Sequence, residues 1–346
     1  MRILAVRVGR VGDTVMMTPA LNAILQCCPE AEITILASPE GKLLLDGFHP
    51  NIKQIWTWDR HGLFKSYTDK RALLKKIAAG DFDRIYCFDT SKRIAELFEQ
   101  SQAELYWLQS SAELKHCARH YLDLVASSCD IDVEQFYNFL PVDDNYRRQV
   151  DEELATHSIM PDDLVVMMHP TFSGYSKLGL RKRHARIRKL WPAQSYGELG
   201  MRLAAESIDG RIIKPLIALL PKELELGRKI VYNSGGAVTL FESHPTFGRY
   251  KALIARANLL LTPDSGPMHI ASALGTPVVA FFSMKEPADC GPYMEPSLFS
   301  ILRSDDPVKG ISTIDVDTVH DAVLSQLKRS LQIRHNDARL SIDKGK

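Results

Sequence analysis

Leu259-Leu260-Leu261-Thr262-Pro263-Asp264-Ser265-Gly266-Pro267-Met268-His269-Ile270-Ala271-Ser272-Ala273-Leu274-Gly275-Thr276-Pro277 reads as a strand, a polar turn, a short helix and the approach to a second strand at Val278–Phe282. The apolar runs are continuous rather than alternating, as expected of parallel strands covered on both faces. Repeated along a chain, this unit is the signature of an α/β fold.

The repetition is present on both sides. Before it, the pattern predicts strands at Leu164–Met168, Leu216–Leu220 and Ala237–Phe241, and after it a further strand at Phe299–Leu302. Helices are expected at Ser195–Glu206, Phe247–Arg256 and Met268–Leu274. The first half carries its own series, with strands at Ile3–Val8, Ile33–Ala37, Gln54–Trp58, Arg84–Phe88 and Leu105–Leu108 and helical stretches such as Lys70–Ala79 and Cys117–Ser127. Between the halves, Pro141 to Asp163 is polar and acidic and offers only a short helix, so a boundary near residue 160 is expected. Residues 1–160 and 161–314 then form two doubly wound domains. The remainder, 315–346, supplies an amphipathic helix with Val316, Val319, Val323, Leu324 and Leu327 on one face, able to close its own domain or pack back on the other.

At 346 residues the chain exceeds one ordinary core, which agrees with two domains. Its 43 Lys+Arg against 42 Asp+Glu leave a net charge of +1, so any polyanionic partner is met by a local patch. The opening apolar run is interrupted by Arg7, unlike a signal peptide, and no stretch approaches the roughly 20 apolar residues of a bilayer span. A cytoplasmic protein is expected, with any membrane contact peripheral. The six cysteines have no C-x-x-C spacing, and the adjacent Cys27 and Cys28 would be strained if bridged to each other, so free thiols are expected.

Two segments carry chemistry. Val8-Gly9-Arg10-Val11-Gly12-Asp13-Thr14 follows the first strand but lacks the G-x-G-x-x-G spacing of a dinucleotide fold, which disfavours a nicotinamide cofactor. Asp13 stands where ligands meet open α/β sheets and suits a general base. It suits equally an N-cap for the helix leading to Leu21 and Ile24, unless Thr18 caps a helix beginning at Pro19. In the Asp264–His269 turn, free amides and the positive end of a helix suit a phosphate. Gly266 permits close approach, Ser265 can donate a hydroxyl hydrogen bond, and His269 projects from the first turn. Taken singly, Asp264 and Ser265 read as caps and His269 as a structural histidine, and only the combined pattern points to a ligand.

Together with the opening I-L-A-V-R-V-G-R-V-G-D-T-V-M-M-T-P-A-L, the Lys189-Leu190-Trp191-Pro192 element and the late Gly291-Pro292, the D-S-G-x-x-H turn resembles the heptosyltransferase family over most of the chain. The resemblance implies the GT-B fold, two Rossmann-like domains facing a central cleft. It also implies heptose transfer from ADP-heptose to the lipopolysaccharide core, with lipid A-Kdo or a heptosylated core oligosaccharide as acceptor. By the same resemblance Asp13 is the catalytic base, Lys189 reaches the donor phosphates, and Asp264, Ser265, Gly266, Met268 and His269 hold the nucleotide sugar. Thr171 approaches the diphosphate, and Glu223 or Glu225 holds the ribose.

One stretch departs from the family pattern. Residues 176–188 are basic and contain no acidic side chain, and Arg181, Lys182 and Arg183 suit the acceptor's carboxylate or phosphate groups. A solvated loop or a contact with anionic lipid at the inner membrane fits the same composition. Nucleic acid is not expected, because no aromatic residue interleaves the charges. The reaction implied is a single inverting displacement. No D-x-D-like motif accompanies the donor turn, so neither metal nor cofactor is expected in the chemistry.

Overall fold

The computed structural model describes residues 1–343 except 60–64, 100, 173–174, 176–186 and 243–245. The chain forms two compact units, Met1–Pro141 and Val142–Lys346.

The first unit contains β1 (Arg2–Arg7), α1 (Val11–Met16), α2 (Thr18–Cys27), β2 (Glu32–Ala37), α3 (Pro39–Leu45), β3 (Ile52–Thr57), α4 (Lys65–Ala79), β4 (Arg84–Cys87), α5 (Lys92–Ala95), β5 (Glu104–Trp107) and α6 (Cys117–Ala126). Its strands run parallel in the order β3-β2-β1-β4-β5. Ile3, Leu4, Ala5 and Val6 of β1 are fully buried, which explains the unbroken apolar run of a strand covered on both faces. The chain winds to one side of β1 through β2 and β3 and to the other through β4 and β5. The C-terminal end of β1 is therefore the switch point at which such sheets take ligands.

The second unit contains α7 (Asp144–Thr156), β6 (Leu164–Met168), α8 (Ala193–Ala204), β7 (Ser207–Ile208), β8 (Arg211–Leu219), α9 (Leu224–Asn233), β9 (Thr239–Glu242), α10 (Phe247–Arg256), β10 (Leu259–Pro263), α11 (Gly266–Ala273), β11 (Val278–Phe282), α12 (Pro287–Cys290), β12 (Phe299–Arg303) and α13 (Val316–Asp343). The order β12-β11-β10-β6-β8 is parallel, and β9 extends it beside β8. The short β7 pairs antiparallel with the start of β8. Their connection is Asp209-Gly210, both with positive φ, the two-residue turn whose twist suits a hairpin.

The units divide at Pro141, ahead of the boundary expected near residue 160, because α7 belongs to the second unit. It packs on α10, where Arg249 pairs with Glu153, Arg256 with Asp151, and Gly248 lies against the Tyr146 ring. The helix α13 closes its own unit: Val319, Val323 and Leu327 are fully buried in the core shared with Leu259, Leu261 and Phe281. Among the described residues no helix is long and apolar enough to cross a membrane.

Candidate functional site

In the first unit the short α1 begins just after β1, and Asp13 is its third residue. One carboxylate oxygen, Oδ2, accepts from the Arg10 backbone N–H at 2.8 Å, closing the N-terminus of the helix. The other, Oδ1, lies 2.8 Å from Arg7 Nη2. The capping reading of Asp13 therefore accounts for one oxygen only. Thr18 caps nothing: it opens α2, and its hydroxyl donates to the Val15 carbonyl.

Arg7 is held on its remaining sides as well. Its Nη1 donates to Asp89 Oδ2 at 3.0 Å, and Nε donates to the Tyr121 hydroxyl at 3.0 Å. Burial opposes the Arg7 charge, but Tyr121, Asp13 and Asp89 more than offset it and raise the guanidinium above its ordinary value. Asp89 follows β4 and accepts from the Ser91 N–H at 3.0 Å, so it too is fixed. Asp13 remains 30% exposed at its side chain while Arg7 and Asp89 are largely covered. The carboxylate is thus aimed and still reachable. Gly9 makes room for it, since a Cβ there would stand 2.6 Å from the Asp13 Cβ and 2.7 Å from Oδ2.

In the second unit, adjacent parallel strands bring the sequence-predicted residues to one sheet edge. Thr171 follows β6, Glu223 follows β8, and Asp264-Ser265 follows β10, with β6 between the other two. Ser265 is the residue preceding α11, extended at φ −154° and ψ 167°, and no side chain caps the helix. Its hydroxyl is paired with Thr262 Oγ1 at 2.8 Å, so the Gly266 and Met268 amides are what the turn offers an anion. Pro267, second in the helix, has no N–H to leave unpaired. The Met268 side chain is fully buried and His269 is 5% exposed, its ring turned into the unit rather than out from the first turn.

Lys189 meets this turn directly. Its Nζ lies 2.5 Å from Asp264 Oδ2 and 3.2 Å from the Asp264 carbonyl, which leaves one of three N–H donors for a ligand. The Lys189-Leu190-Trp191-Pro192 element is anchored from within. Trp191 is buried against Tyr196 and Phe281 and donates to the Ile314 carbonyl at 2.8 Å, and Pro192 immediately precedes α8. Behind it, Gly310 at φ +57° approaches so closely that a Cβ would stand 2.2 Å from the Arg188 carbonyl oxygen.

Of the two glutamates, Glu223 is buried and Glu225 is exposed and paired with Lys229. Burial raises the Glu223 carboxyl, a trend opposed by the Leu220 N–H, Lys222 and Thr171. Thr171 Oγ1 is also 3.2 Å from His169 Nε2, and the Tyr250 hydroxyl is 3.4 Å from His169 Nδ1. Burial pushes the His169 imidazolium down to about 4. Sequence reasoning missed Arg7, Asp89 and Tyr121 around Asp13, and His169 and Tyr250 around Thr171. The signal available was position: Arg7, Asp89 and His169 end or follow strands at the ligand-binding edges of their sheets. Arg181, Lys182 and Arg183 lie outside the described residues.

The sequence profile of glycosyltransferase family 9 (heptosyltransferase) matches residues 71–305. The lipopolysaccharide core heptosyltransferase OpsX of Haemophilus influenzae is 36% identical over 72 residues, and the match spans 21% of this chain and 21% of that protein. A family 9 glycosyl transferase structure from Veillonella parvula superposes with a TM-score of 0.78 at 20% identity, covering 94% of this chain and 97% of that one. The Escherichia coli ADP-heptose lipopolysaccharide heptosyltransferase II gives 0.73 at 18% identity over 95% and 99% of the two chains. The E. coli heptosyltransferase WaaC with ADP gives 0.70 at 16% identity over 94% and 100%. These structural likenesses establish the fold, and the GT-B class expected from the sequence is borne out.

Proposed function

Because the chain belongs to glycosyltransferase family 9, the heptosyltransferases, we propose that it transfers heptose from ADP-heptose to an acceptor of the lipopolysaccharide core by a single inverting displacement. The observation that carries this reading is Lys189 paired with Asp264 in the turn that leads into α11, whose first turn no side chain caps. Such a place suits a diphosphate, and the WaaC structure was obtained with ADP.

In this mechanism Asp13 accepts the proton of an acceptor hydroxyl while that oxygen forms a bond to the heptose anomeric carbon. The bond from that carbon to the ADP oxygen breaks, and ADP leaves with the electron pair. Charge grows on the departing diphosphate, where Lys189 and the amides of Gly266 and Met268 act. One preorganised donor of this kind is worth about 2.7–4 kcal/mol in a transition state. Thr171 borders the diphosphate, Glu223 the ribose hydroxyls, and Asp264, Ser265 and His269 shape the turn, His269 from its buried side. Arg181, Lys182 and Arg183 receive the acidic groups of the acceptor. The charge stabilisation comes from protein cations and amides, so the chemical step is proposed to be metal-independent. We also propose a cytoplasmic protein that meets its lipid-linked acceptor peripherally at the inner membrane.

Two substitutions test the division of labour. Asp13→Ala is expected to lower kcat by about 10²–10⁴ with ADP binding retained, and Lys189→Ala to weaken ADP and donor binding. Full turnover by Asp13→Ala would overturn the base assignment. Product analysis with a panel of nucleotide sugars distinguishes heptose transfer from transfer of another sugar, and absence of transfer or donor hydrolysis with every donor would leave a binding protein of the same fold. Replacing Arg181, Lys182 and Arg183 by Ser is expected to raise the acceptor KM. An unchanged KM would remove them from the acceptor site.

A further inference from the structure

We propose that Cys27, Cys28 and Cys129 form a thiolate site for a soft divalent cation such as Zn²⁺, remote in function from sugar transfer. The three sulfurs lie within 4.8 Å of one another. They converge because α2 and α6 pack together and the chain carries the cysteines at or just beyond the C-terminal ends of both helices. Cys27 is the last residue of α2, and Cys28, which caps it, departs from helical geometry at φ −130° and ψ 67°. That departure brings neighbouring thiols, otherwise about 100° apart around a helix, toward the same point. Cys129 arrives from the other side, three residues beyond α6, its N–H bonded to the Val125 carbonyl at 3.0 Å.

The spacing fits coordination with little movement. Sulfurs about 2.3 Å from a tetrahedral Zn²⁺ stand roughly 3.8 Å apart, so contraction of about 1 Å or less is needed. Cys27 and Cys28 are partly exposed, giving a cation an entry path, while Cys129 is buried. The Tyr86 hydroxyl lies 3.8 Å from the Cys129 sulfur, where it supports a ligand from behind. As each S–metal bond forms, its thiol gives a proton to solvent, and the three thiolates with one Zn²⁺ carry a net single negative charge. The Arg84 guanidinium lies within electrostatic range of Cys28, so that charge has a neighbouring cation. The fourth position is left to water.

A bound cation holds its thiolate ligands deprotonated by its own charge. The consequence is a clip between the C-terminal ends of α2 and α6.

The full-length protein, reduced and freed of metal by a chelator, is titrated with Zn²⁺ against a chromophoric competitor and with Co²⁺ to read thiolate-to-metal charge-transfer absorption. One equivalent is expected to bind, to raise the melting temperature, and to shield Cys27, Cys28 and Cys129 from alkylation while Cys117 and Cys290 react as before. Cys129→Ser is expected to weaken binding by on the order of 100-fold or more, and Tyr86→Phe by about tenfold. Cys117→Ser should bind as the parent does. Absence of charge-transfer absorption, unaltered alkylation of the three cysteines, or formation of a Cys28–Cys129 disulfide in place of metal uptake would each overturn the proposal. Alkylation mapping is done on the unmutated chain, so it decides even if Cys129→Ser does not fold.

Discussion

Arg7 Nη2 lies 2.8 Å from Asp13 Oδ1, and Asp89 and Tyr121 hold the same guanidinium from its other edges. The proposed base is therefore aimed by a side chain that is itself fixed on three sides. Free rotation of a carboxylate has to be frozen at each turnover unless the fold does so beforehand.

Arg7 is accordingly a positioning residue, and its loss should act on turnover rather than on donor affinity. Arg7→Gln is expected to lower kcat by about 10–100-fold with the ADP dissociation constant unchanged. Arg7→Lys, which keeps a charge but offers a single point instead of a planar fork, should recover part of the loss. Steady-state kinetics alongside ADP titration make the separation. A loss of ADP binding as large as the loss of kcat would mean that Arg7 merely maintains the fold.

Gly9 supplies a second route to the same carboxylate without altering any charge. A methyl group at this position would lie inside contact distance of both Asp13 Cβ and Oδ2. Gly9→Ala should therefore displace Asp13 and reduce kcat by about 100-fold, since a shift of 1 Å at a reacting group costs that much. Its melting temperature should fall only slightly, because the clash is relieved by a partly exposed side chain. Unchanged kcat in a folded Gly9→Ala protein would contradict the assignment of Asp13.

Much of this architecture was legible in the residues. Parallel strands buried on both faces write themselves as continuous apolar runs, and the predicted positions of β1, β6, β10 and β11 match the structure closely. The hairpin β7–β8 was missed although Asp209-Gly210 is a strong turn signal, because β7 is only two residues long. The helix α7 was assigned to the wrong side of a linker-like stretch for a physical reason: its polar composition hides the contacts that join it to α10. Around the sites, sequence position indicated Asp13 and Asp264 and the family resemblance indicated Thr171, but neither indicated the side chains that hold them. Arg7 to Asp89 and His169 to Tyr250 are pairings across strands and helices, and no local spacing encodes them.

Gly310 tests whether the anchoring of Lys189 matters to the donor site. It has φ +57° and passes against the Arg188 backbone, where no side chain fits. Gly310→Ala adds both left-handed strain and a collision with the residue preceding Lys189. Donor affinity should fall by about tenfold or more, corresponding to at least ~1.4 kcal/mol, with kcat at saturation less affected. Calorimetry with ADP measures this. Equal ADP affinity in a folded variant would show that the Lys189 segment tolerates displacement.

His169 gives the last expectation, and its sign follows from burial. Its folded value of about 4 lies below the ordinary 6.5, so the folded protein resists protonating this ring. Above pH 6.5 the ring is neutral in both folded and unfolded chains and stability does not depend on it. Between 6.5 and 4 the unfolded chain takes the proton first, and stability falls by about 1.4 kcal/mol per pH unit, to a limit near ~3 kcal/mol. A neutral ring also has one donor and one acceptor nitrogen, which suits the hydroxyls of Thr171 and Tyr250 on either side. Denaturant unfolding at pH 7 and pH 5 should thus show a larger loss for the parent chain than for His169→Gln, by about 2 kcal/mol. Equal losses in the two proteins would mean that His169 titrates alike folded and unfolded, and the polar chain from Glu223 through Thr171 to Tyr250 would then not depend on a neutral imidazole.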